Sequence, residues 1–223
     1  MTAAAHLKRA DLIDHARTLF HEYDVVPFPR SGEIKGFFSR GSTEISELKP
    51  EHLVSDASDL LDLPRLLAAR PFYFVLSGNR ITGYVHYSDL NKYIVAIPFF
   101  ALFRSAERLL WERIQRRLKE EDLRQVFSEQ ESKIFIRKRQ KAVAGNVDLG
   151  WTGIFSFPAI LKLARHFGAI QETDEEIEKL RRVRNKIAHS DSEIVNNYQD
   201  VQLLADAREM ISSFVQTLTL KSD

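Results

Sequence analysis

Apolar positions along this chain follow two rhythms. Near the N-terminus, His6 to Tyr23 places Leu7, Leu12, Ile13, Ala16, Leu19 and Phe20 on one helical face. Short runs of extended character follow. Asp24–Phe28 and Glu33–Phe38 are joined by Pro29-Arg30-Ser31-Gly32, a turn composition that predicts a hairpin. Ser42–Pro50 reads as polar connection, Leu53-Val54 as a brief strand, and Ala57–Arg70 as a helix with Pro64 near its first turn. Phe72–Leu76 and Arg80–Tyr87, flanking Ser77-Gly78-Asn79, predict the clearest hairpin.

Beyond Leu90 the period changes to helical. The predicted helices are Ile94–Lys119, Glu121–Ala144, Phe157–Phe167, Asp174–Ala188 and Glu193–Thr217. Thr173 with Glu176, and Ser190 with Glu193, have the spacing of capping boxes that open a helix. The fold class expected is α+β: a small α/β module over residues 1–92, then an all-helical domain over 93–223. The two hairpins share a Ser-Gly turn, consistent with a degenerate helix–strand–strand repeat.

Composition narrows the chemistry. With 223 residues, 44% of them hydrophobic and 28% charged, the chain can bury a real core. A net charge of +1 means that nucleic-acid affinity must come from a local patch. Cysteine is absent, which removes disulfides, thiolate metal sites and a thiol nucleophile. The charged N-terminus is unlike a signal peptide, and the apolar run Ile94–Phe103 is about half the roughly 20 residues of a membrane helix. A cytoplasmic protein with no membrane span is expected. The histidines are scattered without a ligand-like pair, so no metal site is expected, and no phosphate-binding glycine loop or nucleophile elbow is present.

Gly83-Tyr84-Val85-His86-Tyr87-Ser88-Asp89-Leu90, preceded by the strand Phe72–Leu76, resembles the end of a CBS repeat. That resemblance implies an adenine nucleotide as regulatory ligand, with Asp89 accepting hydrogen bonds from ribose hydroxyls. His86 stands where the family usually carries Ser or Thr against phosphate. Read from the residue types alone, Asp89 caps the following helix and His86 is a half-buried strand residue.

Arg181-Arg182-Val183-Arg184-Asn185-Lys186-Ile187-Ala188-His189 resembles the signature of HEPN domains, in which Arg184, Asn185 and His189 match an Arg, a polar residue and a His after four intervening positions. The resemblance implies a homodimer through the helical domain, with two copies of the motif facing one cleft. It also implies metal-independent cleavage of RNA in a stress or defence response, with no cofactor required. Histidine suits proton transfer near neutral pH, and a guanidinium suits the charge on a phosphorane. Asn185 can orient His189 or the phosphate.

The densest basic run, Lys133, Arg137, Lys138 and Arg139 with Lys141, could follow an RNA backbone or form a solvated helix face. The rival functional reading is a non-catalytic nucleotide-binding or protein-interaction module built on the same dimer, or a subunit whose partner protein carries the activity.

Overall fold

A computed structural model describes residues 24–29, 34–42, 44–145, 151, 153–189 and 193–220. The predicted helix His6–Tyr23 and the cap residue Ser190 lie outside the described residues. The chain is α+β and divides into two compact units, one of residues 1–58 with 70–86, the other of 59–69 with 87–223.

The first unit carries two three-stranded sheets. Strands β1 (Val25–Phe28), β2 (Gly36–Ser39) and β3 (Ser46–Glu47) lie in that order, all antiparallel. Strand β3 falls in the stretch predicted as connection; with only two exposed residues it has no alternation to read. In the second sheet, β4 (Leu53–Ser55) runs parallel to β5 (Phe72–Ser77), which pairs antiparallel with β6 (Arg80–His86). Gly78 takes φ +59 in the β5–β6 turn, a left-handed conformation that a side chain disfavours.

Aromatic residues dominate the core of this unit. Phe37, Phe72 and Phe74 cluster with Val25, and the Phe37 and Phe72 rings meet edge to face at 5.2 Å. His52 is buried against Phe37, and its Nδ1 accepts a hydrogen bond from the Lys49 N–H at 3.0 Å. Burial first, and then the positive charge of Arg70, hold its pKa below the ordinary value. The neutral ring therefore stabilises the unit fully above about pH 6.5, its unfolded pKa, and less as pH falls from there toward the lower folded value. The urea midpoint of the first unit is expected to drop between pH 7.5 and pH 5.5, and the drop should shrink in His52→Gln. An equal drop in both proteins would contradict this.

The second unit is helical: α1 (Leu63–Ala69), α2 (Tyr93–Ile114), α3 (Glu120–Val126), α4 (Glu129–Ala144), α5 (Phe157–His166), α6 (Asp174–Ala188) and α7 (Tyr198–Leu220). Helix α2 is the centre, packing on α5, α6 and α7. Its core residues Phe99, Phe103, Ala106, Leu110 and Ile114 recur at three- and four-residue steps and are almost wholly buried. Helix α1, predicted as part of the N-terminal module, packs instead on α7; Leu67 is fully buried, Arg208 pairs with Asp62 at 2.8 Å, and the Tyr198 hydroxyl donates to the Ala68 carbonyl.

Two helical boundaries differ from the pattern-based expectation. Glu121–Ala144 is two helices, because Phe127 is extended and Ser128 opens a new capping box with Glu131. The last helix begins at Tyr198, five residues later than predicted, where the Asn197 side chain caps it by accepting from the Asp200 N–H at 3.0 Å. Among the described residues no helix is long and apolar enough to cross a membrane.

Candidate functional site

Helix α6 starts at a capping box in which the Thr173 side chain accepts from the Glu176 N–H and Glu176 accepts from the Thr173 N–H. Ile177, Leu180, Val183 and Ile187 form its buried stripe. That stripe fixes which way the basic residues face. Arg181 forks onto Glu178 with two hydrogen bonds of 2.6 and 2.7 Å, and Arg182 reaches the same carboxylate at 3.4 Å. The Arg181 fork holds the Glu178 carboxyl down to about 2. Lys186 donates to Asp200 at 2.8 Å and to the Ile194 carbonyl at 3.2 Å. Burial pushes the Asp200 carboxyl up, but Lys186 and the Asn196 N–H outweigh it and hold the group below its usual range. Arg184, half-buried, has no ion pair among the described residues.

The helix ends at His189, whose backbone turns extended at φ −109 and ψ 104 while its N–H still donates to the Asn185 carbonyl at 3.0 Å. The His189 side chain is exposed and lines an open cleft of about 650 Å³. Lys186 and Ile194 share its wall, and Asn91 with Tyr93, Ile97 and Phe100 from the start of α2 form the other. Tyr93, Ile94, Ile97 and Phe100 are all exposed. Arg184 and Asn185 are not on this wall; Arg184 and His189 are five positions apart, which puts them about 140° apart around a regular helix.

One contact shapes the cleft that the sequence does not announce. The Asn91 amide donates to the Val195 carbonyl at 2.7 Å and accepts from the Val195 N–H at 2.8 Å. It thereby pins the segment after His189 to the foot of α2. Its partner lies 104 residues away, so nothing local marks it.

The other predicted site residues are placed elsewhere. Asp89 sits in a 3-10 turn, Tyr87–Asn91, and pairs with Lys92 at 2.6 Å. It does not cap α2, whose N-cap is Lys92. His86 ends β6 in the first unit and lies 3.4 Å from the Asp24 carboxylate, which also takes Arg40 at 3.0 Å. On α4, Lys133 is paired with Glu129 at 2.6 Å, and the Arg139 guanidinium lies over the Trp151 ring at 4.3 Å. Arg137 and Lys138 are exposed, with no ion pair among the described residues. Lys133, Arg137 and Lys141 follow one another at four-residue steps along one face.

Among the described residues no group of three or more His, Asp or Glu side chains is placed to hold a metal ion. Comparison with protein-family models, with curated proteins and with solved structures gives no match. The fold and the cleft therefore define the chain only as an α+β protein with a mixed-sheet unit and a helical unit.

Proposed function

We propose that the helical unit is a HEPN-type endoribonuclease that acts without metal as a homodimer, and that the first unit is a CBS-like module regulating it. One observation carries the reading. Of the basic residues at the end of α6, Arg181, Arg182 and Lys186 are all committed to carboxylates, whereas Arg184 has none among the described residues and His189 opens onto a cleft. A half-buried guanidinium without a protein anion is disposed to take an external one, and phosphate fits its fork.

In this chemistry the RNA 2′-hydroxyl loses its proton to a base as its oxygen bonds to phosphorus. The bond from phosphorus to the 5′-oxygen breaks, and that oxygen receives a proton. His189 serves proton transfer, Arg184 neutralises the phosphorane, and Asn185 orients the histidine or the phosphate. Because Arg184 and His189 diverge around the helix, a second copy supplies the complement, giving each phosphate an Arg from one chain and a His from the other. Arg137, Lys138 and Lys141 are the exposed basic residues of α4 without an ion pair among the described residues, and we assign them to the RNA backbone. The reading places the protein in the cytoplasm.

The parallel pairing of β4 with β5 and the β5–β6 hairpin support the CBS-like reading of the first unit. An adenine nucleotide is the proposed regulatory ligand. A second reading, a non-catalytic nucleotide-binding or protein-interaction module, is favoured by the apolar wall of Tyr93, Ile97 and Phe100. The deciding experiment is RNA cleavage by the purified chain in EDTA, with and without adenine nucleotides. Fragmentation is expected; intact RNA beside folded protein under every condition would overturn the nuclease.

A further inference from the structure

Three consecutive residues beyond His189 are each held by a different element. The Ile194 carbonyl accepts from Lys186 of α6 at 3.2 Å. Val195 makes both of its backbone bonds to Asn91, in the turn before α2. The Asn196 N–H donates at 2.9 Å to Asp200, in the first turn of α7. Asp200 in turn holds Lys186 at 2.8 Å, so the first and third of these pins are one network, beside the buried Ile194 and Val195.

Lys186 differs from the other two because it lies on the helix that delivers His189. The two are three positions apart, which brings them to one side of the helix end, and both line the cleft. The ammonium reaches across to residue 194, five positions past His189, and so ties together the two ends of the stretch from which the imidazole projects.

Two properties decide what such a lysine does. Its charge is already met: the side chain is 29% exposed and faces a carboxylate 18% exposed, so little of its field is left for a phosphate in the cleft. Its geometry matters more. The His189 side chain is exposed, so its placement depends on where the end of α6 is held. A group that transfers a proton must stand within a fraction of an ångström of its productive position, and a misplacement of about 1 Å costs on the order of 10²-fold in rate.

We propose that Lys186 is a positioning residue: by holding Ile194 and Asp200 it sets where His189 stands in the cleft, and it acts on the rate of cleavage, not on the grip on RNA. The proposal rests on the nuclease reading for its reaction, whereas the placement of His189 can be measured without it.

Steady-state cleavage of a labelled RNA by the full chain, with imidazole NMR of the same proteins, tests both parts. Lys186→Met keeps the stem and removes the charge, and Lys186→Arg keeps a cation with several donors. Asp200→Asn keeps an acceptor for the Asn196 N–H and breaks the ion pair; it carries the same comparison should Lys186→Met not fold. In Lys186→Met kcat is expected to fall about 10- to 100-fold with KM within about two-fold, and Lys186→Arg should recover most of the loss. Asp200→Asn should lie between them. A lysine that grips phosphate would do the opposite, raising KM in Lys186→Met and lowering it in Asp200→Asn. That pattern, or a wild-type kcat in Lys186→Met, would overturn the proposal. The His189 imidazole resonances, identified by their absence from His189→Ala, should move in Lys186→Met and return in Lys186→Arg. If they do so in a chain that cleaves no RNA, the nuclease falls and the placement stands; resonances that stay where they are in Lys186→Met would overturn the placement itself.

Discussion

His189→Ala is expected to lower the rate of RNA cleavage by about 10²–10⁴-fold, the usual contribution of a positioned general acid or base, while the chain stays folded. The two halves of that expectation have separate grounds. His189 closes α6 with an extended backbone and an exposed side chain, so an alanine there meets no steric or conformational objection. What remains of the helix end is unchanged, because the bond from position 189 to the Asn185 carbonyl is made by the backbone. Initial rates on a labelled RNA, with thermal unfolding of both proteins, check the two together. A variant that cleaves at the wild-type rate would remove His189 from the chemistry.

Asn91→Ala should destabilise the helical unit by about 2–4 kcal/mol, through two buried backbone groups left unpaired. Val195 is 1% exposed, so neither its N–H nor its carbonyl can turn to water when the amide is gone. The segment that follows His189 is then released from α2, and the cleft loses the definition of one wall. Asn91→Asp separates the two bonds: a carboxylate still accepts from the Val195 N–H but cannot donate to the Val195 carbonyl. Urea unfolding of wild type and both variants is expected to rank them wild type, Asn91→Asp, Asn91→Ala. Equal midpoints for wild type and Asn91→Ala would show that the clamp contributes nothing.

Local patterns carried the fold a long way, and they failed where a distant contact decided the outcome. The buried stripe of α6, the β5–β6 hairpin around Gly78 and the capping box at Thr173 are all short-range signals, legible because the residues that make them lie within one turn or one hairpin. The break between α3 and α4 was also written locally, as Ser128 three residues before Glu131, but the apolar period runs through it and hides it. The start of α7 has its own local mark, since the Asn197 side chain accepts from the Asp200 N–H at 3.0 Å, but the pinning of Val195 by Asn91, 104 positions away, has none.

The same division runs through the site. The spacing of Arg184, Asn185 and His189 could be read directly, and so could the pairing of Arg181 and Arg182 with Glu178 one turn earlier, whereas Lys186 finds Asp200 only when α6 and α7 come together. On α4 the basic run looks uniform in sequence. In three dimensions Lys133 is paired and Arg139 lies over Trp151, whereas Arg137 and Lys138 have no ion pair among the described residues. Trp111 and Trp151 are 40 positions apart, and only the packing of Phe155 between them makes one aromatic cluster.

The central claim is that this chain's own Arg184 and His189 cleave RNA by attack of the neighbouring 2′-hydroxyl. It is met most directly by end-group analysis of RNA incubated with purified protein in EDTA, beside Arg184→Ala. Fragments ending in 2′,3′-cyclic phosphate and beginning with 5′-hydroxyl, absent with the variant, are the expected result. Fragments with 5′-phosphate ends, or cleavage that persists in Arg184→Ala, would contradict it.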